Sequence, residues 1–353
     1  MGQGPGTGPG QGQGPGMGQG PGTGQGPGMG QGPGQGQVPG AGQGRGPGMG
    51  QGPGQTIGNV RMPPGANVIS RQGDRVIFQQ GNRVTVRKDD LLLLRPRARD
   101  IITRPRTDRF SETVVILPDG TQIVTVYDEW GDIVYRERIL PNRQTYVLVD
   151  SLYDGYVERY PGYYDETLPP IVVPIPQEQY IVETRTATPR MIYETLTAPP
   201  VVDVPHAYSI DDVRQNERIR EMVARVDIDT ITFEFGSANI APAQIANLAA
   251  IGMAMSDIIR QNPNEVYLIE GHTDAVGSDV DNLALSDRRA EAVAMALTAN
   301  WQIPPENLVT QGYGEQYLKI PTDGPEQENR RVTVRRITPL VQQDQQQAPI
   351  QQQ

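Results

Sequence analysis

The stretch Gly-His-Thr-Asp-Ala-Val-Gly-Ser at residues 271–278 is followed closely by Asn-Leu-Ala-Leu-Ser-Asp-Arg-Arg-Ala at residues 282–290. An apolar strand pattern precedes it, so Asp274 is expected just past the carboxyl end of a strand, where open α/β sheets place ligand crevices. Ser286 is predicted to be the N-cap of the next helix. Arg289 would then lie in the first turn, where the helix dipole disfavours a cation. This unfavourable placement suggests that Arg289 has a role in binding.

Asp274 and Arg289 together suit a ligand that carries two opposite charges. The carboxylate could accept hydrogen bonds from an ammonium group, and the planar guanidinium could bind a carboxylate. A simpler interpretation is that Asp274 and Arg289 only pair with each other, as many surface ion pairs do. The residue types alone leave both interpretations open.

The segments around this stretch alternate between strand and helix patterns. We predict a helix that starts at the Ser209 and Asp212 capping box and extends to about Arg225. Further elements follow in the order strand 226–235, helix 242–261, strand 265–270, helix 286–300, strand 307–311 and strand 331–337. This alternation predicts an α/β sandwich whose last strand is antiparallel.

Upstream, short apolar runs are separated by turn signals. Gly81-Asn82 and Asp119-Gly120 each stand between two β-branched runs, and Asp-Gly supplies the positive φ that a two-residue hairpin turn requires. We therefore predict an antiparallel β-meander. The domain boundaries predicted from composition are 1–55 for a disordered Gly/Pro/Gln-rich tether, 56–150 for the β-meander, 151–208 for a Pro/Tyr-rich connector, 209–341 for the α/β domain and 342–353 for a Gln-rich disordered tail.

The composition excludes several classes of function. The net charge of −10 argues against a nucleic-acid partner, because binding to phosphates depends on cations. The chain has no cysteine and only two histidines, so we predict neither a metal site nor a cofactor. The run from Arg83 to Arg109 is basic; we interpret it as a solvated strand face, with lipid or wall polymer as an alternative partner.

The motif residues resemble the C-terminal domain of the OmpA family, which peptidoglycan-associated lipoproteins and MotB-type stator proteins share. The family pattern is Thr-Asp, ten residues, Leu-Ser-x-x-Arg-Ala, and later Asn-Arg-Arg-Val. Thr273-Asp274, Leu285–Ala290 and Asn329–Val332 match it in order and spacing, as do Phe233–Ser237 and Gly312–Glu315. The resemblance covers about residues 226–338.

This resemblance implies a function and a set of site residues. It implies a βαβαββ sandwich that binds peptidoglycan without a covalent bond and anchors an envelope component to the cell wall. Asp274 and Arg289 match the residues that grip the diaminopimelate of the stem peptide. Thr273 and Asn282 match positions that line the same pocket, and Arg330 matches a residue near it. Outer-membrane proteins or lipids are further expected partners, and the pattern defines no oligomeric state.

Two alternatives use the same wall-binding domain. An OmpA-like outer-membrane porin would require strands within 66–205 to place arginine and aspartate towards lipid. A MotB-like stator component would require an apolar helix that spans the membrane, and no apolar run here reaches the necessary length. We therefore favour a protein of the periplasm or the outer-membrane surface, and we expect its export signal upstream of Met1.

An enzyme is not expected. His272 lies beside Asp274, but no serine or cysteine motif accompanies it, so we interpret it as a residue that shapes the pocket. Asp274 facing an arginine would be a poor general acid, because a nearby cation lowers the pKa of a carboxyl group.

Overall fold

The structure, a computed structural model, describes residues 56–57, 60–63, 65–107, 109–152, 168–234 and 236–342. The predicted tether over residues 1–55 and the predicted tail beyond residue 342 lie outside the described residues. Residues 153–167 of the predicted connector also lie outside them.

The N-terminal β region consists of antiparallel strands. Their bounds are β1 (Thr56–Ile57), β2 (Val60–Arg61), β3 (Asn67–Gln72), β4 (Arg75–Gln80), β5 (Arg83–Arg87), β6 (Asp100–Pro105), β7 (Ser111–Ile116), β8 (Gln122–Tyr127), β9 (Ile133–Ile139) and β10 (Thr145–Asp150). β1 pairs with β2, β3 to β5 form a three-stranded sheet, and β6 to β10 form a five-stranded sheet. Within each sheet every strand pairs with its neighbour in sequence, so the predicted antiparallel β-rich region is confirmed.

Two turns show why the hairpins form where the sequence places them. Gly81 has φ +58° between β4 and β5, and Gly120 has φ +90° between β7 and β8. Residues other than glycine rarely adopt such backbone angles. At the second turn the Asp119 carboxylate also accepts a hydrogen bond from the Thr121 backbone N–H at 2.9 Å.

The C-terminal domain is built on a mixed five-stranded sheet. Its strands are β11 (Ile181–Glu183), β12 (Arg225–Ile228), β13 (Tyr267–Gly271), β14 (Leu308–Gly312) and β15 (Val332–Arg336). The spatial order is β11-β12-β15-β13-β14. β15 runs antiparallel to both of its neighbours, whereas β13 and β14 are parallel. The prediction of a final antiparallel strand is therefore confirmed.

Helices cover one face of this sheet and share the other with the N-terminal β region. Their bounds are α1 (Gln177–Tyr180), α2 (Pro189–Thr197), α3 (Ile210–Gln215), α4 (Glu217–Arg220), α5 (Ala249–Gln261), α6 (Asp279–Trp301) and α7 (Thr338–Val341), with 3₁₀ turns at Arg95–Arg97, Pro242–Leu248 and Pro305–Asn307. Tyr267 and Ile269 of β13 belong to the core cluster that contains the apolar sides of α5 and α6. The mixed α/β character of this domain is as predicted.

The opposite face of the sheet is buried by the N-terminal β region. Leu268, which alternates with Tyr267 and Ile269 along β13, packs in a second cluster with Leu148 and Val149 of β10. Residues of α3, α4 and α7 complete that cluster. Because both faces are covered, β13 is buried along its whole length.

Two glycines allow α6 to approach the sheet closely. A Cβ atom on Gly271 would lie 1.9 Å from the Ser286 carbonyl oxygen, and one on Gly312 would lie 2.3 Å from the Asp287 nitrogen. Both neighbours are backbone atoms that cannot move aside on their own. The ends of β13 and β14 are therefore in direct contact with the middle of α6, which positions the candidate site.

Two predicted elements end earlier in the structure than the sequence suggested. The strand predicted over 226–235 ends at Ile228, because the next residue, Asp229, turns the chain and accepts hydrogen bonds from Thr184 and Arg185. The helix predicted from Ser209 to about Arg225 has the expected capping box but ends at Gln215. Asn216 has extended backbone angles there and caps α4 instead.

Part of the predicted connector is folded into the C-terminal domain. β11 pairs in parallel with β12 as the edge strand of the sheet. Ile192 and Leu196 of α2 are fully buried in the same cluster as α5. Among the residues that the structure describes, no helix is long and apolar enough to cross a membrane.

Candidate functional site

The helix that carries the candidate site begins earlier than the sequence suggested. The N-cap of α6 is Ser278, whose hydroxyl accepts a hydrogen bond from the Asp281 backbone N–H at 3.1 Å. The prediction that Ser286 is the N-cap is wrong. Ser286 lies within α6, where its hydroxyl donates to the Leu283 carbonyl at 2.9 Å and accepts from the Gly314 N–H at 2.8 Å. Arg289 is therefore in the helix interior and does not oppose the helix dipole.

Arg289 is almost completely buried, with 3% of its surface exposed. Its Nε donates to the Ser237 carbonyl at 3.0 Å, and its guanidinium lies 4.9 Å from the centre of the Phe233 ring. Burial lowers the pKa of Arg289 to about 10; the nearby Arg330 adds to this shift and Asp274 opposes it. Within the described part of the chain, no carboxylate forms an ion pair with Arg289.

Asp274 follows β13 and is also buried, with 7% of its surface exposed. Its Oδ2 accepts a hydrogen bond from Arg330 Nη1 at 2.5 Å and a longer one from the Glu326 backbone N–H at 3.4 Å. The ion-pair partner of Asp274 is thus Arg330 and not Arg289. The interpretation in which Asp274 and Arg289 only pair with each other does not describe this structure.

Asn282 and Thr273 complete the wall beside Asp274. The Asn282 side-chain amide donates to the carbonyls of Asp274 and Val276, both at 3.3 Å, and to the Glu315 carboxylate at 2.8 Å. Thr273 donates its backbone N–H to the Gly314 carbonyl at 2.9 Å. Its hydroxyl is buried and has no hydrogen-bond partner among the described residues, which leaves one polar group unsatisfied at this wall.

The site therefore combines one carboxylate with two guanidiniums in a largely buried setting. Arg330 has 37% of its side chain exposed, so it can turn towards solvent when another cation takes its place at Asp274, whereas Arg289 is held by the Ser237 carbonyl. An ammonium group could replace Arg330 at Asp274, and a carboxylate could bind the free guanidinium nitrogens of Arg289. The five residues predicted from the sequence all lie on or beside this wall, on the β13–α6 loop, on α6 and before β15.

His272 is not placed for acid–base catalysis. It is buried, with 3% exposed, and stacks on Tyr313 with ring centres 5.6 Å apart. Burial, together with Arg331, lowers the pKa of His272 to about 3, so its ring is neutral near pH 7. No group of acidic or histidine side chains suited to a metal ion occurs among the residues described.

Sequence reasoning missed three groups at the site. The Ser237 carbonyl and the Phe233 ring hold Arg289, and Glu315 holds Asn282. Phe233 and Glu315 belong to the motif segments Phe233–Ser237 and Gly312–Glu315, but each contacts a residue of α6 that lies more than 30 positions away in the chain. The sequence motifs therefore do not reveal which of their residues contact Arg289 and Asn282; the folded structure does.

A known protein family matches the part of the chain in which these residues lie. The sequence model of the OmpA family matches residues 232–331. The peptidoglycan-associated lipoprotein of Pseudomonas putida is 32% identical over 138 residues, which cover 38% of this chain and 79% of that protein. Outer membrane porin F of Pseudomonas aeruginosa is 36% identical over 96 residues, 26% of this chain and 25% of the porin.

Two further matches are to a second lipoprotein sequence and to a solved structure. Lipoprotein YfiB of Escherichia coli is 45% identical over 73 residues, 20% of this chain and 46% of that protein. The match to this lipoprotein and the match to the porin thus span less than half of those relatives. Among solved structures, the peptidoglycan-associated lipoprotein from Burkholderia pseudomallei is 25% identical, with a TM-score of 0.26 over 30% of this chain and 87% of that one.

Proposed function

The chain belongs to the OmpA family, and from this premise we propose that its C-terminal domain binds bacterial peptidoglycan without a covalent bond. The relative from Pseudomonas putida, of which the chain covers 79%, is named as a peptidoglycan-associated lipoprotein. Binding of this kind would tie a component of the outer membrane or periplasm to the cell wall. Porin F and the lipoproteins are envelope proteins by name, so we place this protein in the cell envelope as a non-catalytic anchor.

We propose that the ligand group is the diaminopimelate of the stem peptide. In this proposal Asp274 binds the ammonium and Arg289 binds the carboxylate of one amino-acid centre, while Thr273 and Asn282 form the wall and Arg330 lies beside them. The observation that carries the proposal is the buried guanidinium of Arg289, which meets no carboxylate among the described residues. A buried charge is costly unless it is paired, so a ligand carboxylate would satisfy Arg289.

The order of elements supports the sandwich that the family implies. β12, α5, β13, α6, β14 and β15 follow one another along the chain, which is the βαβαββ sequence. In this arrangement α6 lies against the carboxyl end of β13. The loop after β13 supplies Asp274, and α6 supplies Arg289.

The expected strength of binding follows from the contacts. Each charge-assisted hydrogen bond contributes about 1.5–3 kcal/mol, which corresponds to roughly a ten- to hundredfold change in affinity. One site therefore binds weakly. The wall presents many equivalent stem peptides, and several anchors acting together would hold firmly.

The test is co-sedimentation with purified sacculi, together with titration of a soluble stem peptide that contains diaminopimelate. Asp274→Ala and Arg289→Ala should each weaken stem-peptide binding about tenfold or more. Arg288→Ala is the matched control, because Arg288 neighbours Arg289 on α6 but points to Gln72. Circular dichroism should show that all three variants are folded. Undiminished binding by both Asp274→Ala and Arg289→Ala would contradict the proposal.

A further inference from the structure

A second concave surface lies beside the candidate site and is called the hairpin cleft here. It is bounded by the β4–β5 hairpin, the C-terminal end of α3, the first turns of α6 and the loop after β14. Its volume is about 700 Å³, within the range of roughly 300–1,000 Å³ that is typical of small-molecule sites. The lining includes four side-chain amides and one aromatic ring, from Gln80, Asn82, Gln215, Gln316 and Tyr317.

The hairpin cleft and the candidate site share one wall. The Asn282 amide donates to the Asp274 carbonyl on one side and to Glu315, which lines the cleft, on the other. Leu283 of the cleft is the next residue of α6. A polymer held at Asp274 could therefore continue into the hairpin cleft.

Three of the four charged residues that line the hairpin cleft are already engaged within the protein, and the fourth, Asp279, is exposed in the first turn of α6. Arg214 forms an ion pair with Asp90 at 2.7 Å, and Glu315 accepts the hydrogen bond from Asn282. Arg83 donates to the Gln215 carbonyl at 2.7 Å. A charged ligand would have to displace these partners, whereas a neutral polar ligand would not.

The side-chain amides of Asn82 and Gln215, together with Tyr317, fit a neutral sugar. Amides present donors and acceptors together, as hydroxyl and acetamido groups require. The half-buried Tyr317 ring, which packs edge-on against Tyr313 at 5.3 Å between centres, offers the apolar surface on which a sugar ring can rest.

We propose that the hairpin cleft binds the glycan strand of the same polymer whose stem peptide occupies the site at Asp274 and Arg289. This inference rests on the proposed function and extends it to a second ligand class. A stem peptide joins the sugar strand a few residues from its diaminopimelate, roughly 10 Å of extended chain. Two contacts on one polymer reinforce each other, because the second binding event becomes intramolecular.

Contacts with the loop after β14 and with α6 fix the position of the β4–β5 hairpin. Gln316 donates its side-chain amide to the Val84 carbonyl at 2.6 Å, and Ile77 and Val86 pack against Leu283 and Ala284 of α6. The N-terminal β region thus completes a binding surface that the C-terminal domain alone would lack.

The test uses the full chain and two separate ligands. The first is glycan strand from which an amidase has removed the stem peptides, and the second is a soluble stem peptide that contains diaminopimelate. In calorimetric titrations, the double variant Asn82→Ala/Gln215→Ala should bind stripped glycan about fivefold or more weakly. Its affinity for the stem peptide should stay within about twofold of wild type. Gln122→Ala, which removes an exposed amide from β8 outside the cleft, is the matched control.

The outcomes separate the two proposals. Absence of wild-type binding to stripped glycan, or equal binding by wild type and the double variant, overturns the inference about the hairpin cleft. The Asp274→Ala variant should no longer bind the stem peptide but should bind stripped glycan as well as wild type does. A third outcome is that wild type binds stripped glycan, the double variant binds it more weakly, and wild type does not bind the stem peptide. That outcome would contradict the proposed Asp274–Arg289 site and support the hairpin cleft.

Discussion

Asp287 joins the N-terminal β region to the binding helix, and its removal should destabilise the whole protein. It is 2% exposed on α6. Its carboxylate lies 2.8 Å from Arg75 Nε of β4 and 2.7 Å from Lys88 Nζ, and it also accepts from the Gly312 N–H of β14 at 3.2 Å. Burial opposes ionisation, but Lys88 and Arg75 hold the pKa of Asp287 below its ordinary value.

The magnitude follows from the partners that Asp287→Ala would leave behind. Removing one member of a buried ion pair costs about 3–5 kcal/mol, because the other charge stays buried without compensation. Lys88 is 8% exposed and has no other ion pair among the described residues. Arg75 keeps Glu291 and Asp74. We therefore expect a loss near the lower limit, about 3 kcal/mol of the free energy of unfolding.

Equilibrium urea unfolding, followed by circular dichroism, measures this loss. Asp287→Asn keeps the side-chain volume and should lose nearly as much stability, which separates the charge from the packing. Asp257→Ala is the control, because Asp257 on α5 forms an exposed ion pair with Arg260 and such pairs contribute little. A loss below about 1 kcal/mol for Asp287→Ala would refute the reasoning, since it would mean that the buried cations are solvated without their carboxylate.

Two further predictions follow from the fold. Gly271→Ala should destabilise the protein by about 2–3 kcal/mol and weaken binding to sacculi, because its Cβ would meet the Ser286 carbonyl on α6. Urea unfolding and co-sedimentation measure the two effects. Gly324→Ala is the control and should be near neutral in both measurements, because its Cβ would lie in ordinary van der Waals contact. Burial raises the pKa of Asp128 to about 7, so its contribution to stability is fully present below about pH 4 and is lost as pH rises towards 7. Asp128→Asn should therefore gain stability relative to wild type between pH 4 and pH 7, and a difference in unfolding free energy that stays constant or falls would contradict the assignment.

Much of the fold could be predicted because its signals are local. Asp119 and Gly120 define a hairpin turn within four residues, and the Ser209–Asp212 capping box starts α3 where expected. The strand predicted over 265–270 corresponds to β13, Tyr267–Gly271, which is buried along its whole length. Helix ends were less predictable: the sequence pattern favoured Ser286 as the N-cap of α6, whereas the N-cap is Ser278 and the Ser286 hydroxyl, inside the helix, accepts a hydrogen bond from the Gly314 N–H.

The sequence by itself determined the family motif, its spacing and the residue types that a zwitterionic ligand requires. The assignment of Asp274 and Arg289 to that ligand stays a prediction. Only the tertiary structure decided that Asp274 pairs with Arg330, that Arg289 meets no carboxylate among the described residues, and that Arg75 and Lys88 dock the N-terminal sheet on α6. The physical reason is that a side chain's charge and size are encoded locally, whereas the choice among several possible partners depends on backbone segments that folding brings together from distant parts of the chain.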